Sequence, residues 1–76
     1  MNKDRRARIA NLRETLETMR DELESIRDEE QEAFDNMPES LQNSERGEIA
    51  QTAIDNLESA FDELESVISH LESAEE

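Results

Sequence analysis

The sequence predicts an all-α protein: an antiparallel, coiled-coil-like hairpin of two long helices that pairs with a second copy to form a four-helix bundle. Three observations lead to this fold class. Apolar residues recur every three or four positions in both halves of the 76-residue chain. A single proline separates the two halves, and the charges beside the apolar stripes are opposite in sign. We expect one domain, residues 1–76, because a chain this short buries one thin core.

The first predicted helix covers about residues 3–36. Asn2 or Asp4 is the expected N-cap, because a short polar side chain can accept a hydrogen bond from the first turn. Pro38 is expected to end the helix, since proline disfavours a helical backbone in the residue before it. The apolar stripe occupies the a and d positions of a heptad repeat and consists of Ile9, Leu12, Leu16, Met19, Leu23, Ile26, Ala33 and Met37.

A turn at about residues 37–43 leads into a second helix at about residues 44–74. Ser44 is the expected N-cap of this helix. Gly47, the only glycine, falls in the first turn. It indicates either the close approach of another backbone segment or a tolerant, frayed helix start. The second apolar stripe consists of Ala50, Ile54, Leu57, Phe61, Leu64, Ile68 and Leu71.

Rows of opposite charge lie beside the two stripes, at the e positions of the heptads. Antiparallel helices set their e positions opposite each other, so a chain that folds back near its proline pairs arginine with glutamate. A solvent-facing arginine row is the alternative. The expected ion pairs are Arg27 with Glu58, Arg20 with Glu65, and Arg13 with Glu72. The matching core layers are Leu23 with Leu64, Met19 with Ile68, and Leu16 with Leu71.

Small apolar residues on the opposite flank of the second helix predict a further interface. They widen the apolar face beyond what one neighbouring helix covers, and they let another helix approach closely. A second copy of the chain is the simplest partner, which gives a homodimer. The alternative is that the alanines only favour helix formation. The residues of this flank are Ile49, Ala53, Ala60, Val67 and Ala74.

Acidic residues dominate the second half of the chain. Residues 1–27 hold seven basic against six acidic residues, a net charge of +1, whereas residues 28–76 hold one against sixteen, a net charge of −15. Such a surface repels nucleic acid and anionic membranes and attracts basic proteins. Solubility of a narrow bundle is the alternative explanation. The acidic surface expected to bind a partner consists of Asp28, Glu29, Glu32, Asp35, Asp55, Asp62 and Glu63.

Signals for chemistry are weak throughout the chain. Cysteine is absent, so we expect neither a disulfide nor a thiolate metal site, in keeping with a cytoplasmic protein. The only histidine, His70, lacks the Glu-x-x-His spacing of di-iron bundles and has no pocket to support catalysis. The acidic run after Asp28 lacks the residue order of an EF-hand loop. No apolar run is long enough to span a membrane. We therefore expect no enzymatic activity, no metal and no cofactor.

The segment around the turn reads DEEQEAFDNMPESLQ at residues 28–42, followed by SERGE at residues 44–48. It resembles small acidic proteins encoded by phages and integrated mobile elements of Gram-positive bacteria. The resemblance covers most of the chain, including the second helix, which is rich in alanine, leucine and glutamate. It implies a biological setting but no catalytic or binding residues.

These features favour a non-enzymatic, acidic protein-interaction module, a phage or mobile-element factor that engages a basic host protein. Rows of carboxylates resemble the rows of phosphates in a nucleic acid, so a nucleic-acid-binding protein is a natural target. Two alternatives remain. The first is a self-associating structural or assembly adaptor. The second is an oligomer in which Arg5, Arg6 and Arg8 from several copies sequester a small phosphate-containing ligand.

Overall fold

The computed structural model describes all 76 residues and contains helices but no strand. Helix α1 spans Lys3–Asp35, α2 spans Glu39–Gln42 and α3 spans Glu45–Glu75. The predicted all-α class is therefore confirmed, and both long helices begin and end within one residue of the predicted bounds. Because α1 lies along α3, the molecule is a narrow rod of 58 × 14 × 12 Å.

Helix α1 has a capped start and a proline-enforced end. The side chain of Asn2 accepts a hydrogen bond of 2.8 Å from the backbone N–H of Arg5, so Asn2 is the N-cap. At the other end the backbone N–H of Asn36 still donates to the carbonyl of Glu32, at 3.0 Å. Pro38 cannot donate such a bond, and the helix ends before it.

The turn between the long helices is a single helical turn, α2, that is tied to the end of α1. The carbonyl of Pro38 accepts from the backbone N–H groups of Leu41 and Gln42, at 2.9 and 3.0 Å. The side-chain amide of Gln42 donates to the backbone carbonyl of Phe34 at 3.0 Å. The chain therefore leaves α1 and enters α3 through a hydrogen-bonded corner.

The start of α3 packs tightly against this corner. Gly47 is buried, and a Cβ atom at this position would overlap the backbone carbonyl of Gln42. Of the two explanations considered for this glycine, a close backbone approach or a frayed helix start, the structure shows the close approach. Ser44 holds the N-cap position with an extended backbone, but its hydroxyl donates to the carbonyl of Leu41 instead of accepting from α3. The tight turn brings that carbonyl within reach of the hydroxyl.

The buried side chains all belong to α3. Ile54 is 0% exposed and Ile68 is 2% exposed, and Ala50 is also buried, whereas α1 has no buried residue. The remaining apolar contact between the helices is half-buried. It involves Leu16, Leu23 and Phe34 of α1, and Leu57, Phe61, Leu64 and Leu71 of α3.

Helix α1 faces α3 with its a and e positions, so the a/d seam predicted for α1 is wrong. The a residues Leu16 and Leu23 are half-buried, as are all the arginines at e from Arg13 onward. The d residue Met19, predicted to lie opposite Ile68, is 55% exposed. An arginine side chain has a long apolar stem that can cover a neighbouring helix while its guanidinium reaches water or a carboxylate. The arginine row thus fills the contact that the d row was expected to make.

Where the long helices contact each other, later residues of α1 meet earlier residues of α3. Arg13 meets Glu75, whereas Arg20, one heptad later in α1, meets Glu65. Neither α1 nor α3 combines the length and the apolar character that a membrane-crossing helix requires.

Candidate interaction surfaces

An exposed apolar row runs along α1. Its three members lie seven residues apart at the d positions of successive heptads: Leu12 is 59% exposed, Met19 is 55% exposed and Ile26 is 44% exposed. Because an α-helix rises 1.5 Å per residue, the row extends over about 21 Å. Three large apolar side chains in line on one helix form a continuous stripe that is not covered within the chain.

A second exposed stripe lies on α3 and includes four of the residues predicted for self-association. Ile49 is 64% exposed and Val67 is 45% exposed, while Ala53 and Ala60 between them are half-buried. Ala74, the fifth predicted residue, is exposed at the end of the helix.

The two stripes lie on the same side of the helix pair. Helices that run in opposite directions set their g flanks next to each other. Ala53, Ala60 and Val67 are at g in α3. Because α1 faces α3 with its a and e positions, it is rotated about its own axis relative to the predicted a/d packing. This rotation places the d row of α1 on the g flank of that helix. We define the apolar face by the members of both stripes: Leu12, Met19, Ile26, Ile49, Ala53, Ala60 and Val67.

Sequence reasoning missed the α1 half of the apolar face, because apolar residues at d are normally core residues. The unbroken arginine row at e was the signal that could have found it. Four arginines at seven-residue spacing supply enough apolar stem to compete with the d row for the contact with α3.

The predicted charge rows meet in the structure, but only one expected pair forms as predicted. Arg20 lies 3.4 Å from Glu65, as expected. Arg13 makes a forked contact with Glu75, at 2.6 and 3.2 Å, instead of meeting Glu72, which is exposed. Glu75 continues the a row of α3 on which the e row of α1 lies. The rotation of α1 therefore moves this contact to the a row.

Arg27 also departs from its predicted partner. Its guanidinium donates to Asp28 of the same helix at 2.8 Å and lies 5.8 Å from the centre of the Phe61 ring, while Glu58 stays exposed. A guanidinium over an aromatic face is a favourable cation–π arrangement. Phe61, like Glu75, is an a residue of α3, so both departures from the predicted pairs have the same cause.

The three arginines at the contact are held in their charged form. The hydrogen bonds to Glu75 and Glu17 raise the pKa of Arg13, and the hydrogen bond to Asp28 raises the pKa of Arg27. Burial lowers the pKa of Arg20, but its contacts with neighbouring carboxylates outweigh burial, and the net shift is upward. These arginines therefore stay charged across the ordinary pH range.

All seven residues of the predicted acidic surface are exposed. Three are engaged within the chain: Asp28 by Arg27, Asp35 by Gln31 at 3.0 Å, and Asp55 by Gln51 at 3.1 Å. The other four make no salt bridge or side-chain hydrogen bond within the chain. These four free carboxylates are Glu29, Glu32, Asp62 and Glu63.

Two shallow grooves lie near opposite ends of the apolar face, and they differ in charge. The basic groove, about 350 Å³, is lined by Arg8, Asn11, Leu12 and Thr15 of α1. The acidic groove, about 360 Å³, is lined by Glu45, Glu48, Ile49 and Thr52 of α3. Each has a single large apolar residue, one that belongs to the apolar face.

The arginines predicted to gather around a phosphate do not share one flank. Arg5 and Arg8 line a further groove of about 260 Å³ together with Met1, Ile9 and Leu12. Arg6 is at an e position and lies on the other flank of α1. Arg8 is also 3.9 Å from Asp4, a carboxylate that would oppose an anionic ligand.

The structure contains no cluster of three or more histidine, cysteine, aspartate or glutamate side chains arranged to hold a metal ion. His70 is exposed. No protein-family model, curated protein or solved structure matches the chain. The arguments about function therefore rest on the surfaces described above.

Proposed function

We propose that the chain is a non-enzymatic protein-interaction module that folds as an antiparallel hairpin and binds a second copy through its apolar face. The product is a four-helix bundle that carries an acidic surface. The observation that supports this proposal best is the exposed row of Leu12, Met19 and Ile26. No other part of the chain covers these side chains.

The thin core of the single chain also supports self-association. Three apolar side chains are buried in 76 residues, and all of them lie on α3. Short chains commonly gain the stability that their own core lacks by oligomerising. Covering the apolar face removes large side chains from water, at about 25 cal/mol for each Å² of apolar surface.

The proposal is tested by measuring the mass of the chain in solution by sedimentation equilibrium. We expect twice the single-chain mass of 8.8 kDa for the wild type. Met19→Glu should return the mass to 8.8 kDa, because it places a charge in the middle of the apolar face. The control Ser66→Glu adds the same charge at an exposed position on the outer side of α3 and should leave the dimer intact. A monomeric wild type would rule out self-association.

A second function, binding of a basic protein by the acidic surface, is supported by the four free carboxylates. Glu29, Glu32, Asp62 and Glu63 would meet a basic partner without first breaking an ion pair within the chain. In this proposal the partner is a host protein of basic, nucleic-acid-binding type, and the chain is a cytoplasmic factor of a phage or mobile element. The dimer would present the acidic surface twice, which strengthens binding to a repetitive or dimeric target.

This second function is tested by affinity capture from a host lysate at low and moderate salt. A chain with the four free carboxylates changed to amides should lose the captured protein, as should the wild type at moderate salt. The control changes Glu14, Glu39, Glu72 and Glu76, which are also exposed and unpaired, to their amides and removes the same amount of charge elsewhere. Equal capture by both variants would show that no defined acidic surface is involved.

A further inference from the structure

We propose that the two copies run in opposite directions, so that each long helix packs against the same helix of its partner. The two-fold axis lies across the rod and passes Met19 of α1. This inference rests on the proposed self-association and specifies which residues of the apolar face meet. A two-fold interface uses the same surface patch on both copies, so every contact away from the axis occurs twice.

The exposed row of α1 is centred on its helix. Met19 is the middle residue of α1, and Leu12 and Ile26 lie seven residues to either side. Two antiparallel α1 helices that are centred on Met19 therefore overlap along their whole length. Met19 meets Met19 of the partner, and Leu12 meets the partner's Ile26 at each end. The arrangement covers every large side chain of the row and removes it from water.

Charges beside this row favour the same alignment. Because α1 faces α3 with its a and e positions, its d row faces the partner and its g positions lie at the outer edge of the contact. Antiparallel helices set their g positions opposite each other. Arg8 then lies beside the partner's Glu29, and Thr15 lies beside the partner's Glu22. Glu29 is one of the free carboxylates, and the Arg8 side chain is 74% exposed, so both are available to a partner.

The same axis brings the α3 stripes together. Within the chain Arg20 lies 3.4 Å from Glu65, so Met19 of α1 is level with Val67 of α3. An axis that passes Met19 therefore passes Val67 as well, and Val67 meets Val67 of the partner. One axis thus serves both long helices, with no change in the way the hairpin itself is packed.

The α3 contact joins small residues at its centre and polar residues at its edge. Ala60 meets the partner's Ala74, which lets the α3 helices approach closely. At the outer edge Glu63 lies beside the partner's His70, whose ring N–H can donate to the carboxylate. Ile49 is about 27 Å from the axis, whereas the partner's α3 extends about 12 Å past it. Ile49→Glu should therefore sediment as a dimer, and a monomeric Ile49→Glu would contradict this alignment.

One other two-fold arrangement would also bring the apolar faces together. An axis along the rod sets α1 antiparallel to the partner's α3, at the register that holds within the chain. Large residues would then meet small ones, such as Ile26 and the partner's Ala60, so residue size does not decide between the two arrangements. Charge does decide, because the outer edges would set Glu22 beside the partner's Glu63 on both sides of the bundle. Such like charges oppose association.

Sliding the antiparallel copies past each other by one heptad is also disfavoured. Toward the corners, the axis would pass between Met19 and Ile26 and the row would still be covered. However, Glu22 would meet Glu22 of the partner, and Glu63 would meet Glu63 of the partner. In the other direction, Ile26 would lie against the partner's Arg5 and the α1 helices would overlap over a shorter length. The alignment centred on Met19 avoids both faults.

The proposed dimer uses two of the four free carboxylates. Glu29 and Glu63 face the partner copy, whereas Glu32 and Asp62 point away from it. The basic protein of the second proposed function would then bind at Glu32 and Asp62, which stay exposed on both copies of the dimer.

Single cysteines test the arrangement directly, because the chain has no native cysteine. Met19→Cys should form a covalent dimer with itself under mild oxidation, since the two thiols meet at the axis. The matched control Leu12→Cys has a similar exposure but should not cross-link with itself, because its two copies lie about 21 Å apart along the bundle. A mixture of Leu12→Cys and Ile26→Cys chains should form a disulfide-linked heterodimer.

A mixture of Met19→Cys and Val67→Cys chains distinguishes the two-fold arrangements. Each variant should cross-link only with itself, which gives two products of different mass. A mixed product would place α1 against the partner's α3, and a dimer in which Met19→Cys stays reduced would show that the axis lies elsewhere. Either result would overturn the proposed geometry while leaving self-association intact. A wild type that sediments as a monomer would overturn both.

Charge reversal provides an independent test of the edge contact. Arg8→Glu should raise the dimer dissociation constant roughly tenfold, because it turns two attractions with Glu29 into repulsions. Adding Glu29→Arg in the same chain should restore the wild-type value within about threefold. The control Arg6→Glu makes the same charge change on the other flank of α1. Equal weakening by Arg8→Glu and Arg6→Glu, or no restoration in the double variant, would overturn the proposed contact.

Discussion

Helices α1 and α3 are nearly equal in length, 33 and 31 residues, and both carry an apolar stripe, yet they contribute unequally to the core. The buried residues Gly47, Ala50, Ile54 and Ile68 all lie on α3. Helix α1 buries none, and its d row faces water. The difference follows from what lies beside each stripe. In α3 the stripe lies between small residues on one flank and glutamates on the other, and its large apolar residues face inward. In α1 the flanking arginines have longer apolar stems that compete for the contact.

The comparison shows the limit of a heptad pattern. The pattern predicts which residues form an apolar stripe more reliably than it predicts which side of the helix packs against its neighbour. In this chain the half-buried arginines at e, and not the d row, share the α1 side of the contact with the a residues. The row that is displaced is left exposed. In this chain the displaced row is the α1 half of the apolar face.

Truncation of the buried centre of α3 should have the largest effect on the stability of the folded chain. Ile54→Ala removes a fully buried side chain, and we expect it to lower the free energy of unfolding by about 2–5 kcal/mol. In dilute protein, Leu12→Ala should change this free energy by no more than about 0.5 kcal/mol, since Leu12 is mostly exposed. Urea unfolding followed by circular dichroism measures both. Equal losses would mean that the two helices contribute equally to the core.

The corner at the start of α3 should be the next most sensitive place. Gly47→Ala improves helix propensity by about 1 kcal/mol, but the added Cβ meets the backbone carbonyl of Gln42, which cannot move without opening the turn. We expect a net loss of about 2 kcal/mol in the free energy of unfolding. Ser59→Ala, an exposed position in the same helix, is the control and should be neutral or slightly stabilising. A more stable Gly47→Ala variant would show that α2 does not pack against α3.

The arginine row should contribute least, and its effect should depend on salt. Arg13→Gln removes the forked contact with Glu75, and we expect the melting temperature to fall by a few degrees at low salt and by less at high salt. Arg5→Gln, at an exposed position, is the control and should leave the melting temperature nearly unchanged.

Changing the pH should not reproduce the effect of Arg13→Gln. The folded-state pKa of Arg13 is raised above its ordinary value, so the stability contributed by its charge is fully present at every pH below the pKa of the unfolded chain. That stability is lost only above the folded value. A loss of stability on raising the pH from 7 to 10 would have to come from another group.

Much of the fold could be predicted from sequence, because local signals specify it. Pro38 ends the first helix as predicted, and at Asn2 and Gly47 the structure shows one of the two alternatives that the sequence left open: the N-cap and the close backbone approach. The rotation of α1 could not be predicted in the same way, since it results from competition between the apolar d row and the stems of the arginines. The candidate surfaces divide in the same way, into those that the sequence pattern shows and those that depend on packing. The α3 stripe and the acidic residues were visible as patterns, while the α1 row became apparent only from the packing.

The most direct test of the account is the reactivity of a thiol at position 19, measured as the rate of labelling of Met19→Cys over a range of protein concentrations. The chain has no other cysteine, so the rate reports on this position alone. We expect fast labelling in dilute protein, because α1 turns this position to water, and slow labelling in concentrated protein, because a second copy covers it. Slow labelling in dilute protein would place Met19 in the core, and fast labelling at every concentration would show that no second copy covers the apolar face.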